Sequence, residues 1–249
     1  MEVIIVAIMK KEMEFFIQTS AVDISDNIKP ASVFDYFQDI AGLHAKELGV
    51  SYETIKKENL AWVILYETYE IINMPPYLEN VVVKTWPKPK GRLEFEREYF
   101  MESIDGKPLI KGISNWVLID LDTRMIARTD RVDYNGEYYD FTNYNGKTKR
   151  KIGLDYNKCI DFFDSVVTYD DLDHNGHMNN TRYLTHIYNN YNFDKKKCCT
   201  QVEIAFIKEA KWKDIINIGH YILEDGRDAY IGKVNNEICF ECILKMEEF

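Results

Sequence analysis

Asp171-Leu-Asp-His-Asn-Gly-His-Met-Asn-Asn180 packs two carboxylates, two imidazoles, three amide side chains and a glycine into ten residues, with only Leu172 and Met178 apolar. A second stretch, Asp23-Ile-Ser-Asp-Asn-Ile-Lys-Pro30, has related turn chemistry. Overlaid with an offset of 148 residues (171 minus 23), Asp23-Ile24 falls on Asp171-Leu172, Asn27 on Asn175 and Lys29 on His177. Each stretch follows a segment with strand character, Met13 to Val22 in one case and part of Tyr156 to Thr168 in the other, and each precedes a helical pattern. One unit used twice is therefore predicted, with lysine in the first copy where the second has histidine.

Working outward, Pro30 suits a first helical turn, and Val33, Phe34, Phe37, Ile40, Ala41, Ala45 and Leu48 follow at helical spacing up to Gly49. That predicts a helix of about five turns. Trp62 to Ile72, Val81 to Trp86, Leu93 to Ser103 and Leu109 to Asp120 read as strands, with Asp105-Gly106 as a hairpin turn. Leu93, Phe95 and Tyr99 alternate with Glu94, Glu96 and Glu98, which predicts an antiparallel sheet with one wet face. Asp130 to Lys151, rich in Tyr, Asn, Gly, Asp and Lys without periodicity, reads as a linker or surface excursion. After the central loop Asn180 is a candidate cap, and Tyr183, Leu184, Ile187, Tyr188 and Tyr191 share one helical face. Val202 to Trp212, Ile215 to Glu224, Ala229 to Val234 and Ile238 to Met246 supply four more strands, with Asp225-Gly226 as a turn.

The 249 residues, 46% hydrophobic and 14% aromatic, suffice for a core, and a net charge of -10 argues against general binding of nucleic acid. The apolar run Val3 to Met9 is too short to span a bilayer and leads into Lys10, Lys11 and Glu12 without a cleavage site, so a soluble cytoplasmic protein with no membrane partner is expected. Five cysteines at irregular spacing read as free thiols. Cys239-Phe-Glu-Cys242 lies in a strand-like run, where residues three apart point to opposite faces, so metal ligation there is not expected. Three basic clusters could form an acidic partner's dock: Lys88 with Lys90 and Arg92, Lys147 with Lys149, Arg150 and Lys151, and Lys195 to Lys197.

The central loop admits several readings. Asp171-x-Asp173-x-Asn175-Gly176 opens like a calcium loop, but its twelfth position is Arg182 where a bidentate glutamate belongs. His174, His177 and His186 lack a usual zinc spacing. A solvated turn ending in an asparagine cap fits composition as well as a catalytic loop does. No metal or cofactor is called for.

Asp173-x-Asn175-x-His177-x-Asn179-Asn180, then an aromatic-apolar helix, then Phe206-Ile-Lys-Glu209, resembles the acyl-acyl carrier protein thioesterases of plants and bacteria. The likeness extends to Ser114 to Asp120 with Trp116 and Val117, to Thr123-Arg124, and to Gln38, Ala41 and His44 in the first helix. It implies an α+β tandem (double) hotdog, two antiparallel sheets each wrapped around a long helix and joined edge to edge. Residues 1–145 would form an N-terminal acyl-binding hotdog without a catalytic histidine, and 146–249 the C-terminal catalytic one. Met178 stands where the family has valine, and Ala210 where many plant members have cysteine, which leaves no thiol nucleophile there.

The implied activity is hydrolysis of fatty acyl-carrier thioesters, with acyl carrier protein as partner. His177 would carry protons, Glu209, expected on a strand, would activate water or orient the histidine, and Asn175 would donate its amide. Asp173 would orient the loop or, alternatively, attack as a nucleophile. The backbone around Asn179 and Asn180 would supply oxyanion donors, with simple capping as the other reading of Asn180. Phe34, Phe37, Trp62 and Tyr66 are candidate lining residues of the acyl tunnel. Three rivals remain: a coenzyme A thioesterase on the same scaffold, a hydratase, in which Glu209 would have no task, and a non-catalytic acyl-binding module. Monomer and homodimer are both compatible.

Overall fold

The computed structural model of the chain describes residues 8–134, 136–190 and 196–248. Strands are β1 (Ile8–Met9), β2 (Lys11–Phe16), β3 (Leu60–Ile71), β4 (Asn80–Pro87), β5 (Phe95–Ser103), β6 (Pro108–Asp120), β7 (Ile126–Ala127), β8 (Glu137–Tyr138), β9 (Asp161–Val166), β10 (Lys197–Phe206), β11 (Ile215–Ile222), β12 (Asp228–Val234) and β13 (Glu237–Glu248). Three α-helices are described: α1 (Pro30–Glu47), α2 (Tyr52–Lys57) and α3 (Arg182–Tyr188).

The main sheet runs β2-β4-β5-β6-β3-β10-β13-β12-β11-β9, antiparallel throughout, with β7 added to β6. The order is a palindrome of two like halves, in which β2, β4, β5, β6 and β3 answer to β9, β11, β12, β13 and β10. The halves meet where Tyr66 to Glu70 of β3 pair with Gln201 to Ala205 of β10. This is the edge-to-edge double hotdog. Among the described residues the helix of the first half is the longer, 18 residues in α1 against 7 in α3. Tyr191 and Lys195 lie outside the described residues.

Helix α1 begins with Pro30 in its first turn and lays Val33, Phe34, Phe37, Ile40 and Ala41 against the sheet, all buried. Phe37 stacks on Tyr99 with ring centroids 4.4 Å apart, and burying such a ring contributes about 1.5–3 kcal/mol. The approach depends on Gly112, where a β-carbon would stand 2.7 Å from both the Phe37 ring and the Thr68 carbonyl oxygen. Helix α2 was not foreseen. Its signal is Ser51, whose hydroxyl accepts the Thr54 N–H as an N-cap.

Two expectations need correction. The segment Met13 to Val22 is only partly strand: β2 ends at Phe16, and Thr19–Ala21 form a 3-10 turn. The outer face of β5 is not simply wet, because residues 143–154 run across it and over β10 and β13 as a strap. Glu98 accepts the Asn143 and Tyr144 N–H groups, Thr148 bonds Glu96, Arg150 Glu94 and Lys149 Glu203, and Glu241 accepts from Ile152, Gly153 and Leu154. Buried beneath this strap, the Glu98 carboxyl is pushed above its ordinary range despite those donors. The strap and the strand next to it absorb two of the three basic clusters, since Lys88 pairs with Glu96 and Glu98, and Lys90 with Asp133.

Candidate active site

The loop is a set of nested turns organised by Asp173. Its Oδ1 accepts the N–H of Asn175 (2.8 Å) and of His177 (3.1 Å), and its Oδ2 accepts from the Asn175 side-chain amide (3.2 Å). Gly176, at φ +77°, lets the chain reverse, and the Asp173 N–H closes onto the His177 carbonyl at 2.8 Å.

The same turns occur in the first half, with a register different from the sequence overlay. Asp23 Oδ1 accepts from Ser25 (2.8 Å) and Asn27 (3.1 Å), and the Asp23 N–H reaches the Asn27 carbonyl at 2.8 Å. The bridges Val22 to Ile28 and Leu172 to Met178 repeat with the same spacing. The structural offset is therefore 150 residues (173 minus 23), not 148. Asp23 answers to Asp173, Asn27 to His177 and Ala21 to Asp171, so Lys29 is not the counterpart of His177. The shared Asp-x-x-x pattern drew the overlay to the wrong aspartate, because Asp171 and Asp173 are two apart.

Glu209 lies three residues past the end of β10, not on a strand. Its position is fixed on both sides. The Ala210 N–H donates to the Tyr183 hydroxyl oxygen (3.2 Å), and the Ala210 carbonyl accepts the Met178 N–H (2.9 Å), while His177 bridges to Lys211. Helix α3 and the loop thus hold the Glu209 backbone beside His177, and His177 Nε2 stands 3.2 Å from Glu209 Oε2. Both side chains are partly exposed, at 30% and 53%.

They open onto a cavity of about 660 Å³. From the second half come Asp173, His174, Asn175, His177 to Asn180, Tyr183 and Phe206 to Glu209, and from the first half Gln38, Ala41, Gly42, Ala45, Trp62, Ile64, Phe95, Arg97, Trp116 and Tyr134, among others. Trp62 is the one predicted tunnel residue on this wall. Phe34, Phe37 and Tyr66 are not: the two phenylalanines are fully buried between α1 and the sheet, and the Tyr66 hydroxyl bonds Glu203. Gln38 and Ala41 of the first-helix pattern line the cavity, whereas His44 lies behind it.

Asn179 and Asn180 both reach the cavity, but their backbones differ. The Asn179 N–H is used by the Asp171 carbonyl (2.7 Å), whereas the Asn180 N–H makes no hydrogen bond within the described residues. Asn180 does not cap the helix through its side chain; the capping bond comes from Asn179, whose Oδ1 accepts the Thr181 N–H at 3.1 Å. Tyr52 of α2 packs edge-on to His174 at 4.3 Å, bringing the first half against the loop. Sequence reasoning missed Tyr52, Tyr183 as a clamp, and Arg97. The last was visible as a lone cation on the otherwise apolar face of β5.

Behind the loop, His186 Nε2 meets Asp171 Oδ2 at 3.1 Å and His186 Nδ1 meets Ser165 Oγ at 2.8 Å. Burial opposes ionisation of Asp171, yet the Thr168 hydroxyl and amide, with His186, hold its carboxyl below the ordinary range. This pair ties β9, the Tyr169–Asp171 turn and α3 together, away from the cavity. Among the described residues no group of three or more His, Cys, Asp or Glu is placed to hold a metal.

Known proteins resemble this chain in sequence over both halves and in fold. The N-terminal domain profile of the acyl-ACP thioesterases matches residues 9–134, and the C-terminal domain profile residues 157–240. A palmitoyl-acyl carrier protein thioesterase of Arabidopsis thaliana, described as chloroplastic, is 26% identical over 183 residues, which is 68% of this chain and 44% of that protein. The chloroplastic FATB2 acyl-[acyl-carrier-protein] hydrolase of Cuphea viscosissima is 24% identical over 61% of this chain and 40% of its own length. The chain thus spans less than half of these relatives. In fold, an acyl-ACP thioesterase from Bacteroides thetaiotaomicron superposes with a TM-score of 0.85 at 23% identity, covering 96% of this chain and 98% of the other. The 12:0-ACP thioesterase of Umbellularia californica gives 0.78 at 15% identity, covering 97% and 98%. With both domain profiles matched in order along one double hotdog, the chain belongs to the acyl-ACP thioesterase family.

Proposed function

We propose that this protein hydrolyses fatty acyl-acyl carrier protein thioesters to the free acid, with residues 146–249 carrying the chemistry and residues 1–145 forming most of the acyl wall. The observation that carries this reading is the His177–Glu209 pair at 3.2 Å, opening onto a cavity walled by Trp62, Ile64, Phe95 and Trp116. A cavity of this kind suits an apolar chain, and a coupled imidazole and carboxylate suit proton transfer at neutral pH.

In this scheme the pair takes one proton from a water molecule as the water oxygen bonds to the thioester carbon. Charge develops on the carbonyl oxygen, and in this reading the Asn180 N–H and the second hydrogen of the Asn175 amide donate to it. When the C–S bond breaks, the proton passes from the pair to the departing sulfur, and one carboxylic acid and one thiol leave. Asp173 acts by holding Asn175 and the His177 backbone.

The carrier partner is proposed on family grounds. With the Lys88 and Lys149 clusters already paired on the outer face, and Lys208 at the cavity rim paired with Glu237, Lys46 is the rim lysine left to meet an incoming acidic carrier. No helix of the described residues is long and apolar enough to cross a membrane, and five free thiols support a reducing compartment such as the cytoplasm. The test is hydrolysis of acyl-carrier thioesters of graded length, each beside the matching acyl-coenzyme A. Carrier substrates are expected to turn over faster, and His177→Ala and Glu209→Ala are each expected to lose roughly a hundredfold or more in kcat. Wild-type rates in both variants would overturn the assignment.

A further inference from the structure

Arg97 is a buried cation without a buried anion. It lies on the inward face of β5 between Phe95 and Tyr99 and is only 9% exposed. Its two hydrogen bonds both leave from Nη1, to His44 Nδ1 at 3.0 Å and to Thr85 Oγ1 at 3.2 Å. Neither partner offsets its charge. Burial, then Arg97 itself and Lys11, push the His44 imidazole down to about 3, so it is neutral and accepts the N–H. No carboxylate lies within 4.0 Å of the guanidinium among the described residues, and burial pushes the Glu67 carboxyl, on β3 two strands away, well above its ordinary range.

The remaining edge, Nε with Nη2, makes no hydrogen bond to the described residues and is not among the sealed, unpartnered polar atoms. Arg97 also borders the cavity that contains His177 and Glu209, beside Phe95, Trp116 and Tyr134. That edge is the fork with which arginine grips a carboxylate through two parallel bonds. A wall meant only for hydrocarbon would place no such donors there, since a buried unpaired charge is costly.

We propose that Arg97 is a specificity-determining subsite for an oxyanion carried by the acyl chain away from the thioester, best met by a chain with a second carboxylate. The proposal rests on reading the cavity as an acyl site, and its test needs no turnover. Trp62 and Trp116 on the same wall supply a fluorescence signal for titrating linear monoamides of dicarboxylic acids against unsubstituted alkyl amides of equal length, over a range of lengths. The wild-type protein is expected to bind the carboxylated amide at least about tenfold more tightly at one or more lengths, the scale of a charge-assisted pair in a partly dry site.

Arg97→Met should abolish that preference and tighten binding of the plain amide. If Arg97→Met does not fold, Arg97→Gln, which keeps a donor toward His44 and Thr85 while removing the charge, decides the same point. No preference at any length in the wild type, or an undiminished preference in the variant that folds, overturns the proposal. If thioesters are not hydrolysed but the amide preference holds, it is the proposed function that fails and not the subsite.

Discussion

Asp173 has a twin. Asp23 makes the same two backbone contacts at the same distances in a loop with neither histidine nor glutamate to serve, so the contacts belong to the turn and not to the chemistry. That favours an orienting role over a nucleophilic one. In Asp173→Asn the remaining oxygen still accepts from the two N–H groups, but the side-chain contact with Asn175 is lost. Turnover is expected to fall about tenfold and stability by about 1 kcal/mol, read from single-turnover rates and urea unfolding; a dead enzyme would indicate a nucleophile instead. His44 makes a different statement. Its imidazole is held near 3 when folded against about 6.5 when unfolded, so between those values the unfolded chain binds the extra proton. The stability contribution is complete above about 6.5 and is lost as pH falls toward 3, by at most about 1.4 kcal/mol per pH unit. Urea midpoints compared at about pH 7 and about pH 5, above most carboxylate titrations, should separate less in His44→Asn than in the wild type.

At the scale of elements, Glu209 owes its place to α3. The Tyr183 hydroxyl is the acceptor for the Ala210 N–H, and Tyr183 itself is wedged between Phe206 and Phe240, so one side chain couples helix, loop and strand end. Tyr183→Phe keeps the ring and strands a buried N–H. The expected result is a loss of about 1–3 kcal/mol in stability together with a lower kcat, as Glu209 drifts from His177. Unchanged kcat with lowered stability would confine Tyr183 to a packing role. The elements were largely legible beforehand, because helix and strand periodicity along α1, β3 to β6 and β10 to β13 is set by burial on one face. What periodicity does not carry is a contact between distant segments. Helix α2 is too short to show a repeat, the strap over β5 has no pattern of its own, and the repeat register depended on hydrogen bonds that two nearby aspartates make ambiguous. In the candidate site, His177, Glu209, Asp173, Asn175, Asn179 and Asn180 were legible as a motif, whereas of the predicted tunnel residues only Trp62 lies on the cavity wall. Phe34 and Phe37 share a helix with Gln38 and Ala41, and only the helix rotation decides which of them face the sheet and which the cavity.

For the molecule as a whole, the decisive feature is that its two halves share one sheet. Glu203 on β10 collects Tyr66 from the first half, Lys149 from the strap and Arg227 from the second half, with contacts of 3.2, 2.9 and 3.2 Å. Glu203→Ala leaves the buried Tyr66 hydroxyl without its acceptor, and about 1–3 kcal/mol should be lost. Because the seam is a single ladder, that loss should lower one cooperative transition and not split it in two, as calorimetry would show. The seam also bears on the chain's ancestry and on its use as a part. Strand β3, of 12 residues, and β10, of 10, are each flanked on both sides, and separation of the halves would give each an unsatisfied border of mostly buried side chains, open to pairing with any passing strand. Neither half is therefore a portable module. A gene encoding one of them alone could persist only if its product found a second copy to take the missing half's place, so duplication within one chain converts an assembly problem into a folding one and frees each half to specialise.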